Sequence, residues 1–159
     1  MYKYTDNTQS NFLDFNQPIG LHMNPENRWV KMADAIPWEV FEKKYSRLFK
    51  GKNGRVAKPL RLALGSLIIQ TKYQYSDREL VEQLTENPYH QYFIGLPGYQ
   101  EEPPIDASTL VLFRKRLNMD VIMEANEYML DAVKEKESSD KKDDDHNNPP
   151  SGGEGNGQD

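Results

Sequence analysis

The 159-residue sequence contains no cysteine. That removes a disulfide framework, a thiolate metal site and a cysteine nucleophile. Histidine is scarce too. His22, His90 and His146 lie far apart and form no metal-ligand spacing. No apolar run approaches the roughly 20 residues that a membrane span needs. The N-terminal MYKYTDNTQSNF has no signal-peptide apolar stretch. The expected location is therefore cytoplasmic, with no membrane partner. Sustained strand alternation and internal repeats are also missing.

Apolar residues make up only 36% of the chain. The shortage is local. Ser138 to Asp159 is 22 residues without one hydrophobic side chain, whereas the other 137 carry all 58, about 42%. That is a normal share for a packed core. The tail holds six acids and two bases, while the rest holds 19 acids against 18 bases. The formal charge of −5 thus describes mainly the tail. Three segments are expected: an extended arm over 1–26 that docks a few side chains, a helical domain over 27–137, and a disordered acidic tail over 138–159.

Helical periodicity runs through the middle segment. A short helix over about 27–35 places Trp29, Val30 and Ala33 on one face. Pro37 suits the first turn of a second helix, which buries Trp38, Phe41, Tyr45 and Leu48. Pro59 opens a third, PLRLALGSLIIQTKYQY, apolar on several sides and so central. Ser76 to Glu79 reads as a capping box, and Asn87-Pro88 as a further start signal. Gly95 fits a helix stop. Asp106 or Ser108 caps the helix STLVLFRKRL, and a last helix runs from about 120 to 136. The fold class is all-α, a compact multi-helix domain.

Four groups could carry chemistry. From Lys43 to Arg61 there are eight cations and no acid: Lys43, Lys44, Arg47, Lys50, Lys52, Arg55, Lys58 and Arg61. This is either a solvated loop balanced in space or a phosphate-contacting surface, which needs charge and reach. In helix 107–117, turning Leu110, Phe113 and Leu117 inward directs Ser108 and Lys115 outward. Val111 and Leu112 then lie on the outer side, with Arg114 and Arg116 on the flanks. Such a helix, following two short ones, suits a helix-turn-helix-like major-groove reader, although cations near a helix end also compensate its dipole. The carboxylates Asp77, Glu79, Glu82, Glu86, Asp106 and Asp120 are not paired with a nucleophile, so no catalytic or metal-binding residue is assigned. The last helix carries a stripe from Val121 to Val133, with Met119, Met123 and Leu130 elsewhere on its wheel. These are stray exposed residues or a contact with a second subunit or domain.

NRWVKMADAIPWEVFEKKY, SDREL, ENPYHQYFIGL and DASTLVLFRKRL stand in one order along residues 15–118. Together they resemble the N-terminal domain of DDE transposases of the insertion-sequence-five type (InsH-like). The resemblance implies a helical domain that binds the terminal inverted repeats of a mobile element. It also implies a downstream RNase-H-like domain, whose three carboxylates hold divalent metal, by expectation Mg²⁺, for cleavage and strand transfer. The chain is therefore expected to be a fragment without the catalytic domain, itself neither an enzyme nor a cofactor binder.

The expected partners are double-stranded DNA at transposon ends, within the nucleoid, and the missing C-terminal catalytic domain. A homodimer is left open. Arg55, Lys58, Arg61 and Lys72 are expected to contact phosphate. Ser108, Thr109, Lys115 and Arg116 should approach bases or adjacent phosphates, and Arg114 belongs to the same motif. The alternatives are an assembly module of the transposase and a stand-alone DNA-binding regulator.

Overall fold

A computed structural model describes residues 1–4, 11–49, 51 and 54–144. Lys50 and Lys52 of the basic run, and residues 145–159 of the acidic tail, lie outside the described residues. Among the described residues there are seven α-helices and no strand. They are α1 (Arg28–Ala35), α2 (Trp38–Ser46), α3 (Leu60–Tyr73), α4 (Asp77–Glu86), α5 (Pro88–Phe93), α6 (Ala107–Arg116) and α7 (Met119–Asp144). The all-α expectation holds.

The helix boundaries follow local chemistry. Asn27 accepts from the Trp29 N–H and opens α1. Ser76 and Glu79 form the reciprocal capping box at the start of α4. The Asn87 side chain accepts from the Tyr89 and His90 N–H groups, with Pro88 in the first turn of α5. Between the two candidates for α6, Asp106 is the cap, accepting from the Thr109 N–H.

Helix α3 is the hub. Every residue from Leu60 to Ile69 is buried. Helices α2, α4, α5, α6 and α7 all pack against it, while α1 lies on α5 and α7. Its Gly65 lets α5 come close: a Cβ there would meet Ile94 Cγ2 at 3.2 Å. The N-terminal arm packs on the body through Phe15 and Met23, both buried, and through half-buried Tyr2 and Phe12. Leu13 and Ile19 stay in solvent.

Arg61 lies in the middle of this core. It was expected to contact phosphate but is 1% exposed. Its Nε donates to the Phe93 carbonyl at 3.0 Å and its Nη2 to the Tyr92 carbonyl at 2.7 Å. The guanidinium also lies 5.2 Å from the ring centres of both Trp38 and Tyr92. Arg61 occupies the first turn of α3, between α2 and the end of α5. There the carbonyls left over by α5 need donors more than the surface needs another cation. Gly95, with φ of +83°, closes against it; a Cβ would meet Arg61 Cδ at 2.8 Å.

Three other expectations change. Leu48 is exposed, because α2 ends at Ser46 before reaching it. Helix α7 passes the expected end near 136 and continues to Asp144, so the first part of the supposed tail, 138–144, is helical. Polar composition does not by itself end a helix, and 138–144 contains neither Gly nor Pro. Finally, α4 and α5 meet across Asn87 alone, but α6 follows a connection over 94–106. That is much longer than the three- or four-residue turn before a helix-turn-helix recognition helix. Buried Gln91 organises this connection. Its amide donates to the Leu84, Thr85 and Gln100 carbonyls, and its oxygen accepts from the Gln100 N–H.

Two predictions follow from the buried polar groups. Arg61→Met should lower unfolding free energy by about 2–4 kcal/mol in urea titrations, because two carbonyls lose a charged donor. Exposed Arg55→Met should change it by less than about 0.5 kcal/mol. The second concerns His90, which is buried with its Nδ1 lacking a partner among the described residues. Burial, aided by the charge of Arg28, lowers its pKa from 6.5 to about 4. The unfolded chain then gains a proton below pH 6.5 that the folded chain refuses until about pH 4. Stability should therefore fall by up to about 3 kcal/mol across that window. His90→Leu should flatten this slope in urea midpoints measured from pH 7 to 4.

Candidate nucleic-acid interface

Helix α6 is held by one face. Leu110, Phe113 and Leu117 are buried, as the wheel required, against α3 and α4. Ser108, Val111, Leu112, Lys115 and Arg116 are left exposed. Arg114, on the flank, is committed elsewhere. Its two terminal nitrogens donate to the two Asp77 carboxylate oxygens at 2.8 and 2.9 Å. This bidentate pair lowers the Asp77 pKa and raises that of Arg114. Asp77 also accepts from the Gln70 amide at 2.7 Å. Arg114 thus joins α6 to α3 and α4, and its charge is paired with that of Asp77.

Beside α6 lies a cleft of about 350 Å³, walled by the 55–58 segment, the start of α6 and Arg116. Five of the expected contact residues meet there: Arg55, Lys58, Ser108, Thr109 and Arg116. Its apolar floor includes Phe49, Leu112 and Phe113. The Arg116 guanidinium stands 4.8 Å from the Phe49 ring centre, a cation–π contact within the cleft lining. Lys115 is exposed on the adjoining outer face.

One carboxylate belongs to this site. A single Asp106 oxygen accepts from the Ser108 hydroxyl at 2.7 Å, the Thr109 hydroxyl at 2.7 Å and the Thr109 N–H at 2.9 Å. These bonds, with the Lys58 charge nearby, hold the Asp106 pKa down to about 2, so it is ionised at neutral pH. Both hydroxyl protons are already donated. Ser108 and Thr109 are therefore better placed to accept a hydrogen bond from a base amino group than to donate to phosphate.

The expected set is not all in one place. Arg61 is in the core. Lys72 sits far from the cleft, in a groove beside α7, its ammonium 5.6 Å from the Trp29 ring centre. Within the basic run, Lys44 is paired with Glu124 at 2.9 Å.

Residue-type reasoning missed Met1, which lines the cleft, and Tyr2, which packs behind Phe49 of its lining. The Met1 carbonyl accepts from the Ala57 N–H at 2.9 Å. The Tyr2 hydroxyl donates to buried Glu42 at 2.6 Å and accepts from the Leu60 N–H at 3.1 Å. The Tyr2 ring packs on Tyr4, Tyr45 and Phe49. Burial and the neighbouring Glu42 raise the Tyr2 pKa. The two tyrosines so near the N-terminus, Tyr2 and Tyr4, were the available signal.

Among the described residues, no cluster of three His, Cys, Asp or Glu side chains could hold a metal ion. No helix there is long and apolar enough to cross a membrane.

The helical body thus displays a basic, partly apolar helix face beside a cationic cleft. Residues 19–116 match the family model described as Transposase domain (DUF772), and the chain belongs to that family. It is also 37% identical over 103 residues to the uncharacterized protein ORF8 in the nfe locus of Rhizobium meliloti. The match covers 65% of this chain and 49% of that protein, so the chain matches about half the relative's length. No solved structure matches.

The Asp77–Arg114 pair generates a prediction. Asp77→Asn and Arg114→Ala should each destabilise the fold by about 0.5–1 kcal/mol, the scale of a partly exposed bidentate pair. In a double-mutant cycle followed by urea unfolding, the two losses should not add. Additive losses would mean the pair does not couple α4 to α6.

Proposed function

We propose that this domain binds double-stranded DNA at the ends of a mobile element. The outer face of α6 meets base edges, and the cleft beside it holds the sugar-phosphate backbone. The observation that carries the reading is the convergence of Arg55, Lys58, Arg116 and the start of α6 on one cleft, with Lys115 exposed next to it. Membership of a transposase-domain family supports the same reading. Arg55 and Lys58 contact phosphates. Ser108 and Thr109 accept from base amino groups, Lys115 and Arg116 approach bases or adjacent phosphates, and Leu112 is available to a thymine methyl. Arg61 and Arg114 take no direct part, because one stabilises the core and the other fixes α6. On this reading the metal-dependent strand chemistry belongs to a catalytic domain outside the described residues.

Fluorescence anisotropy with the element's terminal repeat and a scrambled duplex, at two salt concentrations, tests this. The repeat should be preferred at both. Arg55→Ala should weaken binding to both duplexes and lower the slope of log K against log salt by about 0.9. Lys115→Ala should cost about 1–3 kcal/mol on the repeat and reduce the preference. Equal affinity for the two duplexes would sink end recognition, and absence of binding would sink the DNA reading as a whole.

A further inference from the structure

Helix α7 uses only part of its circumference to hold the body. Ile122, Ala125 and Met129 are buried. Next to that stripe runs another, Met119, Met123, Asn126, Leu130, Val133 and Glu137, at alternating steps of four and three residues. That is the spacing of a coiled-coil seam, with Met123, Leu130 and Glu137 at one core position of the repeat and Met119, Asn126 and Val133 at the other. Its large apolar members face solvent: Met123 is 57% exposed and Leu130 58%. The helix then continues to Asp144.

The seam borders a groove between α7 and the α1–α3 side of the body. Two adjoining hollows of about 420 and 430 Å³ share Met32, Lys72, Met129 and Val133 as common lining. The floor is apolar, and the rim carries Arg28 and Lys72 together with the Lys31–Glu26 ion pair and, from α7 itself, Glu137. Arg28 and Lys72 crowd each other, and the charge of Arg28, after burial, lowers the Lys72 pKa. An incoming surface should therefore bring apolar side chains flanked by carboxylates. The exposed flank of α7 carries such acids, Glu127 and Asp131, beside Met123 and Leu130.

We propose that two copies of this chain pair through α7, as a short parallel coiled coil in which each α7 lies along the other's groove. Leu130 and Met123 pack across the seam, and Glu127 of each copy faces the Arg28–Lys72 rim of the other. A twofold axis running along the helices places this flank opposite the partner's rim. The pairing uses a different surface from the α6 cleft and does not depend on the DNA-binding proposal. It would bring two α6 readers into one particle, as two DNA ends require.

Sedimentation equilibrium and light scattering on the full 159-residue chain test it. The wild type should have twice the 18.5 kDa chain mass. Leu130→Glu should weaken dimerisation at least tenfold, with helical content unchanged in circular dichroism because the side chain is exposed. Lys72→Glu or Glu127→Lys alone should also weaken it, and the two together should restore it. A wild-type monomer at up to about 100 µM, where micromolar affinity would show, overturns the proposal; so would a groove filled by the chain's own tail, which gives the same monomer. A dimer indifferent to Leu130→Glu places the interface elsewhere and also overturns it. Loss of DNA affinity in Lys72→Glu with an unchanged oligomeric state would assign the groove to nucleic acid instead.

Discussion

The buried guanidinium of Arg61 is the constraint on which the arrangement depends. A charge removed from water is tolerated only where dipoles and π faces replace the lost hydration. Here the Phe93 and Tyr92 carbonyls and the Trp38 and Tyr92 rings do so. Burial still lowers the Arg61 pKa, while Tyr92 and Asp34 oppose that shift. The contacts bring α2, α3 and the C-terminal end of α5 to one point. Gly95 has to be glycine there, because a side chain would strike Arg61 and the positive φ would strain any other residue.

The position of α6 follows from that point. The chain leaves α5 at Gly95, and Gln91 fastens the next stretch through Gln100. A single bridge between Asn16 and Gly98 ties the arm to the same connection, where a Cβ on Gly98 would lie 2.6 Å from Asn16 Cβ. Ile105 is buried just before Asp106 caps the helix. Leu110 and Phe113 then hold α6 on α3, and Arg114 fixes its rotation by gripping Asp77. The cationic and apolar residues of α6 stay outside because every inward position has been filled.

Two surfaces result, with different chemistry. The cleft by α6 combines Arg55, Lys58 and Arg116 with an ionised Asp106 that keeps the Ser108 and Thr109 hydroxyls in place. The α7 side has an apolar floor, a rim of Arg28, Lys72 and the Lys31–Glu26 pair, and acids along the helix. The near balance of charge outside the tail therefore describes neither surface. Binding depends on local potential rather than on the sum.

Much of the fold was legible in the sequence, since its signals are local. The capping box at Ser76, the Asn87-Pro88 start, the Gly95 stop and the inward trio of α6 each depend on neighbours a few residues away. Blocks such as SDREL and DASTLVLFRKRL carried the family, and residues 19–116 bear it out. The candidate site was legible as the outward face of one helix and a run of cations, not as a cleft. Which of them face solvent was decided by partners far along the chain: Phe93 for Arg61, Asp77 for Arg114 and Glu124 for Lys44. The continuation of α7 to Asp144 is not legible in composition, because a polar segment free of Gly and Pro can extend a helix as readily as leave it. Local sequence thus determined the helices and their buried faces, whereas tertiary packing decided the fate of each charge, because a cation's availability depends on the dipoles and carboxylates that folding brings beside it.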